Sequence, residues 1–266
     1  MKKLLSVLLL FLLTTGPAGM AQSKITLPDL FASKIQGNYF LYDDYRFDVS
    51  KVLNDEHLEE ACNECIRQVG YIESTNLPKN ITNFFKTVPV TLLPQDQLPQ
   101  TSASSATLRG MYLPNESAIV LNIDSLYQNE CDDYKDQTLL HELLHAFHHQ
   151  RLGSNNLAII KFFKEAKDHH YYNSENDPYA NYLKSQTKYA KLKTNFDYMM
   201  RNDHEFFACT SIAFLNDFAP YEPFSRNNIY QHQPEYYHYL DNLFQTGRDP
   251  YIIERCLFSD FIDYLY

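Results

Sequence analysis

The residues best suited to chemistry lie in one short segment, Leu140–His149, which holds four of the ten histidines in this 266-residue chain. His141 and His145 stand four residues apart with Glu142 directly after the first, the arrangement written HExxH. On a helix, residues at this spacing share a face, so both imidazoles can converge on one metal ion. Glu142 is rotated away by one residue, where its carboxylate can reach a water on the metal without binding the metal. The pattern predicts one zinc ion per chain with a general base beside it.

This segment must be helical to bring the two imidazoles together, and we predict a helix over Asp136–Leu152. Asp132, Asp133 and Asp136 precede or open it, where the positive end of a helix favours carboxylates. Gly153 is suited to end it, because glycine tolerates the left-handed conformation found at many helix ends. The side away from the histidine pair is apolar and is expected to face the core; it carries Leu139, Leu143 and Ala146, with Phe147 partway round.

Two more histidines follow in the same helix. We expect His148 and His149 to stabilise its C-terminus as partial cations, or to line a cleft. A metzincin would carry a third histidine where this chain has Arg151. That class of metallopeptidase is therefore excluded.

A catalytic zinc site takes three protein ligands, and two downstream glutamates compete for the third place. Glu165 lies 20 residues after His145, a spacing found in thermolysin-like enzymes. In the helix predicted over Leu157–Asp168, however, Glu165 points more than about 100° away from the apolar stripe, towards solvent.

Glu205 has the opposite surroundings. Ala208, Cys209 and Ile212 follow it at helical spacing, so its side chain points the same way as small and apolar residues. A carboxylate on the inner face of a buried helix needs a partner, and a zinc ion is such a partner. Glu205 is the preferred third ligand, with Glu165 as the alternative, and a histidine remains a further possibility: His169, His170 or His204.

The segment Asp203–Phe214, with its Glu-Phe-Phe-Ala core and a later Ala-Phe, resembles the third-ligand helix of the anthrax-lethal-factor-like gluzincin metallopeptidases. This group includes the Pro-Pro endopeptidases, and its members carry a tyrosine seven residues before the ligand glutamate, where this chain has Tyr198. The resemblance implies that His141, His145 and Glu205 bind zinc and that Glu142 is the general base. It also implies that Tyr198 stabilises the tetrahedral intermediate.

These enzymes place a substrate-binding edge strand before the HExxH helix, and Ser117–Ile123 is the candidate for it. The chain departs from the family pattern at Leu144, where a glycine is frequent, and at Cys209, where an acidic residue is common. A polar insert rich in tyrosine and lysine, Asn173–Lys193, also separates the two motifs.

The remaining elements predict an α+β fold. A helix is expected over Asp55–Ile72, and Val88–Leu93 is a short β-branched strand in which Pro89 favours an edge position. Arg109–Leu113 and Ser117–Ile123 flank a turn and are expected to form a hairpin. From Asp136 onwards the pattern is mainly helical, which together with the resemblance predicts a zincin-like domain with a small mixed sheet.

The N-terminus has the layout of a secretory signal peptide. Lys2 and Lys3 precede the apolar run Leu4–Leu13, and small residues follow up to Ala21. We therefore predict a signal peptide over residues 1–21, an N-terminal extension over 22–50 and a catalytic domain over 51–266. The mature protein is expected to be secreted or periplasmic without a membrane anchor. The extension could also be a pro-segment that occupies the cleft.

Composition excludes several classes of protein. A net charge of −10 gives no overall basic surface for nucleic acid, and seven glycines argue against glycine-rich phosphate loops. Five cysteines leave at least one thiol unpaired within the chain. The CxxC pair, Cys62 and Cys65, is expected to be a local disulfide or two packed thiols; the other cysteines are Cys131, Cys209 and Cys256.

These features together predict a secreted zinc metalloendopeptidase that acts on a protein or peptide substrate. Two alternatives stay open. The chain could be a zinc hydrolase of a non-peptide amide, or an inactive zinc-binding protein on a peptidase scaffold. The intact Glu142 argues against the second alternative, because a decayed enzyme usually loses its base.

Overall fold

The computed structural model describes residues 34–99, 108–127, 137–172, 196–216 and 225–247. Within these residues the chain is mixed α+β, with one sheet in the N-terminal half and a mainly helical C-terminal part, which confirms the predicted class. None of the helices in the described part is long and apolar enough to cross a membrane.

The strands of the described N-terminal half form one mixed sheet of six strands, and helices lie between some of them. In the spatial order β1-β2-β3-β4-β6-β5, its strands are β1 (Ile35–Gln36), β2 (Tyr39–Tyr42), β3 (Tyr45–Asp48), β4 (Val90–Leu93), β5 (Gly110–Leu113) and β6 (Ala118–Asn122). β4 pairs in parallel with both β3 and β6, and the other neighbouring strands are antiparallel.

The labelled helices are α1 (Leu58–Ser74), α2 (Lys79–Thr87), α3 (Ile123–Tyr127), α4 (Thr138–Phe147), α5 (Leu157–Asp168), α6 (Asp203–Leu215), α7 (Arg226–His232) and α8 (Pro234–Phe244). A π-helical segment, His148–Gly153, continues α4 without a break. The predicted helix over Asp136–Leu152 is thus α4 and the π-helical segment in succession, and the acidic residues expected at its start, Asp132, Asp133 and Asp136, lie outside the described residues.

The first three strands come from residues that we predict as an N-terminal extension. β3 pairs with β4, so residues 35–48 belong to the same sheet as the strands beside the HExxH helix. Phe40, Tyr45 and Phe47 from these strands are buried in the core. Strands on both sides of the expected boundary at residue 51 therefore belong to one sheet. The predicted signal peptide and residues 22–33 lie outside the described residues.

Two predictions about sheet edges are wrong. β4 is an interior strand between β3 and β6. Pro89 is compatible with this position because it precedes the strand and takes part only through its carbonyl, which accepts from Ile119 N–H at 2.8 Å. The hairpin is confirmed, but its second strand β6, the one predicted as Ser117–Ile123, is also interior. The edge strand of the hairpin is β5, because β6, the second strand of the hairpin, is the one that pairs with β4.

Helix α4 is held from several sides. Leu139, Leu143 and Ala146 are fully buried, which confirms the predicted apolar face. At its N-terminus the buried Gln68 side chain of α1 accepts a hydrogen bond from Leu139 N–H at 2.7 Å, which satisfies one of the free donors of the first turn. The helix that carries HExxH is thereby fixed in position relative to α1.

Helix α6 is buried along almost its whole length, as predicted, from Phe206 to Leu215. The Asn202 side chain caps its N-terminus by accepting from Glu205 N–H at 2.9 Å. At the other end, the buried Arg226 guanidinium donates to the carbonyls of Phe214 and Asn216 at 2.8 and 2.9 Å. Both ends of the helix that carries Glu205 are thus satisfied by side chains.

The cysteines within the described residues are free thiols. Cys62 and Cys65 are both buried in α1, which fits the packed-thiol alternative and not the local disulfide. Burial raises the pKa of the Cys62 thiol to about 12. Cys131 and Cys256 lie outside the described residues.

Candidate metal centre

The structure brings His141, His145 and Glu205 together, and their donor atoms face one another. The two Nε2 atoms lie 3.0 Å apart, and Oε2 of Glu205 lies 3.1 Å from Nε2 of His141 and 3.2 Å from Nε2 of His145. Nitrogen and oxygen ligands at ~2.0–2.1 Å in a tetrahedron around zinc are about 3.3 Å apart. The three donors therefore fit three corners of such a tetrahedron with little movement.

These donors come from two elements whose positions are fixed by the core. His141 and His145 lie on α4, one turn apart, and Glu205 lies in the first turn of α6. Their side chains are only 7%, 13% and 15% exposed, respectively. Such a group of two histidines and one glutamate, largely buried, could hold a metal ion.

Glu205 is ionised in this arrangement. Burial acts to raise the pKa of its carboxyl, but hydrogen bonds and charge interactions with His141 and His145 outweigh it and hold that pKa well below its usual range. A carboxylate in this state is a ready metal ligand, since it has no proton to lose on binding.

Cys209 contacts the His141 ring at the nitrogen that does not face His145 and Glu205. Its sulfur is 3.8 Å from Nδ1 of His141, so Nε2 is the ring nitrogen directed at the other donors. A group on the far nitrogen orients a ligand histidine and fixes its tautomer.

Glu142 lies beside this group and is also buried, with 6% of its surface exposed. Its Oε2 accepts a hydrogen bond from Tyr112 N–H on the edge strand β5 at 2.7 Å. The strand thereby orients the carboxylate predicted to be the base. The sequence pattern indicates a hairpin here but does not single out Tyr112, because its role depends on its backbone and not on its side chain.

Gly110 allows β5 to come this close to α4. A Cβ at this position would lie 2.7 Å from Cγ2 of Thr138 and 2.9 Å from Cδ2 of Leu121, both too short for real contacts. It would also lie 3.3 Å from Cγ of Glu142. Only glycine fits here without a shift of the strand or of these side chains.

Tyr198 lies next to His141, in a short helical stretch at residues 196–199. Its hydroxyl oxygen is 3.5 Å from Nε2 of His141, and 37% of the residue is exposed. Partial burial and the nearby Glu205 carboxylate raise the pKa of the phenol well above its usual value. The hydroxyl therefore stays protonated and can donate a hydrogen bond to an oxygen bound in front of the group.

The alternative third ligands lie elsewhere or in a different cluster. Glu165 on α5 is half-buried rather than turned to solvent, and its Oε2 accepts from Gln233 Nε2 at 3.3 Å. His169 and His170 are exposed beyond the end of α5. His204, which is next to Glu205, faces His148 at a ring-centroid distance of 4.7 Å.

The prediction for His148 as a partial cation is wrong. The residue is completely buried, and desolvation lowers the pKa of its imidazole to about 3, so the ring is neutral. His149 contacts the edge strand β5 instead, with its Nδ1 3.1 Å from the hydroxyl of Tyr112. Arg151, at the metzincin position, lies over the ring of Phe84 at 4.7 Å.

Comparison of the chain with protein-family models, with curated proteins and with solved structures gave no match of any kind.

Proposed function

We propose that this chain is a secreted zinc-dependent endopeptidase with a zincin-like catalytic domain. The observation that carries the proposal is the convergence of His141, His145 and Glu205 at donor distances of 3.0–3.2 Å, with Glu142 buried beside them. Catalytic zinc typically has three protein ligands of this kind, two imidazoles and one carboxylate, and keeps its fourth position for water.

A zinc ion in this place would polarise the scissile carbonyl and acidify the attacking water. Glu142 would accept a proton from that water at its carboxylate and deliver it to the leaving nitrogen. The hydrogen bond from Tyr112 N–H holds one carboxylate oxygen of Glu142 in place for this exchange. The protonated hydroxyl of Tyr198 would donate to the carbonyl oxygen as negative charge develops there.

The edge strand supports a peptide as the substrate. Among the described residues β5 pairs with β6 on one side only, so its other side would offer backbone groups to an extended chain. Tyr112 from this strand is also hydrogen-bonded to Glu142. A peptide laid along β5 would therefore pass directly in front of the base.

Cleavage of an unbiased peptide library, with zinc measured on the same sample, tests this function. We expect zinc-loaded protein to cleave peptides. Glu142→Gln should retain zinc but lose ~10²–10⁴-fold in rate, because the amide can accept from Tyr112 N–H but cannot take up a proton. His145→Ala should lose cleavage together with the zinc held by His141, His145 and Glu205.

Glu165→Gln is the matched control, since it neutralises a half-buried glutamate outside the group and should leave the rate unchanged. Cleavage by Glu142→Gln at the rate of the unchanged protein would rule out the mechanism. Hydrolysis of amides but of no peptide would identify the non-peptide hydrolase, and zinc binding without any hydrolysis would identify the inactive scaffold.

A further inference from the structure

A second cluster of metal-ligating side chains lies next to the first one but shares no residue with it. It consists of His148, Asp203 and His204, whose ligand atoms all lie within 4.8 Å of one another. His148 comes from the π-helical segment that continues α4, and the other two open α6. The cluster thus joins the same two stretches of chain as the HExxH group.

His148 is the observation that calls for a ligand. Its ring is completely buried, and neither Nδ1 nor Nε2 has a hydrogen-bond partner among the described residues. A neutral imidazole carries one N–H donor and one lone pair, and leaving both without a partner in the interior is unfavourable. Buried polar atoms of this kind usually mark a bound ion or an ordered water.

The surroundings of the ring favour an ion. His148 lies against the His204 ring at a centroid distance of 4.7 Å and against the Phe207 ring at 5.1 Å. Phe207 lies on one side of the His148 ring. His204 and Asp203 lie close enough to provide two further ligand atoms for an ion.

We propose that His148, Asp203 and His204 form a second site for a first-row divalent cation such as Zn²⁺. Two imidazoles and one carboxylate suit zinc, cobalt, nickel or copper, whereas calcium and magnesium prefer oxygen ligands alone. The Asp203 carboxylate supplies the negative charge that a cation needs at the positive end of α6. The inference goes beyond the proposed peptidase function, since it requires no catalysis.

The two sites differ in how far their donors must move. The donors of His141, His145 and Glu205 are already 3.0–3.2 Å apart, close to the tetrahedral spacing. In the second group, neither ring nitrogen of His148 is within a hydrogen bond of another described residue, so the ligand atoms are not yet in contact and must move together around an ion. Asp203 and His204 are half-buried, whereas His148 is fully buried. The second site should therefore bind more weakly than the first.

Zinc titration of metal-free protein, with bound metal counted after desalting, tests the second site without any measurement of activity. The unchanged protein should bind two equivalents. His145→Ala should lose the tighter one, His204→Ala should lose the weaker one, and the double variant should bind none. Asp203→Asn, which keeps the shape of the side chain, should weaken the second equivalent at least tenfold.

His238→Ala is the matched control, because His238 is exposed on α8 and belongs to neither group, and it should still bind two equivalents. If His204→Ala and Asp203→Asn bind zinc as the unchanged protein does, the second site does not exist and a water satisfies His148. If His204→Ala loses one equivalent while His145→Ala loses none, the first site fails and the second stands. Circular dichroism of each variant shows that it is folded.

Discussion

At the scale of single residues, the position of Tyr198 separates a catalytic role from a packing role. Its hydroxyl is close to the metal-facing nitrogen of His141, yet more than a third of the residue is exposed, so its ring contributes little to the core. Tyr198→Phe keeps the ring and removes only the donor. We expect kcat to fall about 10²–10³-fold, the usual effect of losing one donor to a developing oxyanion, with zinc content and melting temperature unchanged.

Tyr239→Phe is the control for this prediction, because Tyr239 is a half-buried tyrosine packed on Phe162, with ring centroids 5.7 Å apart, in another part of the molecule. Its kcat should equal that of the unchanged protein. An unaltered kcat in Tyr198→Phe would assign Tyr198 to the wall of the cleft. Kinetics on the best peptide from the library give both values.

At the scale of elements, the contact between β5 and α4 holds Tyr112 N–H against the Glu142 carboxylate. Gly110→Ala would place a methyl group against the side chains of Thr138 and Leu121 at distances that force either the strand or these side chains to shift. We expect unfolding to become easier by about 1–3 kcal/mol, as for other overpacked sites. The rate of peptide cleavage should fall as well, because the hydrogen bond from Tyr112 N–H to Glu142 lengthens.

Gly70→Ala provides the contrast, since a Cβ at Gly70 in α1 would meet no atom within 4 Å. That variant should be as stable as the unchanged protein or up to about 1 kcal/mol more stable, because alanine favours a helix. Denaturant unfolding of both variants measures the difference. Equal stability of the two would mean that β5 moves without cost and that its closeness to α4 is unimportant.

The sequence could predict those features of the elements that depend on residues close together in the chain, but not those that depend on contacts between distant segments. The spacing of His141 and His145 and the inward face of Glu205 follow from helix periodicity within a few residues, and the structure brings these side chains together. The position of β5 at the edge depends on strand order, which no local pattern encodes. The expected charge on His148 fails for a similar reason, because the ring is buried against His204 and Phe207 of α6, and this long-range contact is not encoded by the local pattern.

At the scale of the whole molecule, the question is whether the segment that contains β1 to β3 is part of the fold or a pro-segment that can be removed. The sheet contains them, and Phe40, Tyr45 and Phe47 are at most 1% exposed. Burying three large aromatic side chains contributes about 5–9 kcal/mol at ~1.5–3 kcal/mol each. The net stability of a protein is only about 5–15 kcal/mol, so a fold without these strands has little left to hold it.

A chain that begins at Ser50 should therefore lose its cooperative thermal transition and its cleavage of peptides, whereas a chain that begins at Lys34 keeps every described strand and should retain both. Circular dichroism melts and the peptide assay on the two truncated chains make the comparison. A pro-segment behaves in the opposite way, because its removal opens the cleft of a domain that folds without it. Higher activity of the chain from Ser50 than of the chain from Lys34 would thus show that the domain folds without these strands and that they inhibit it.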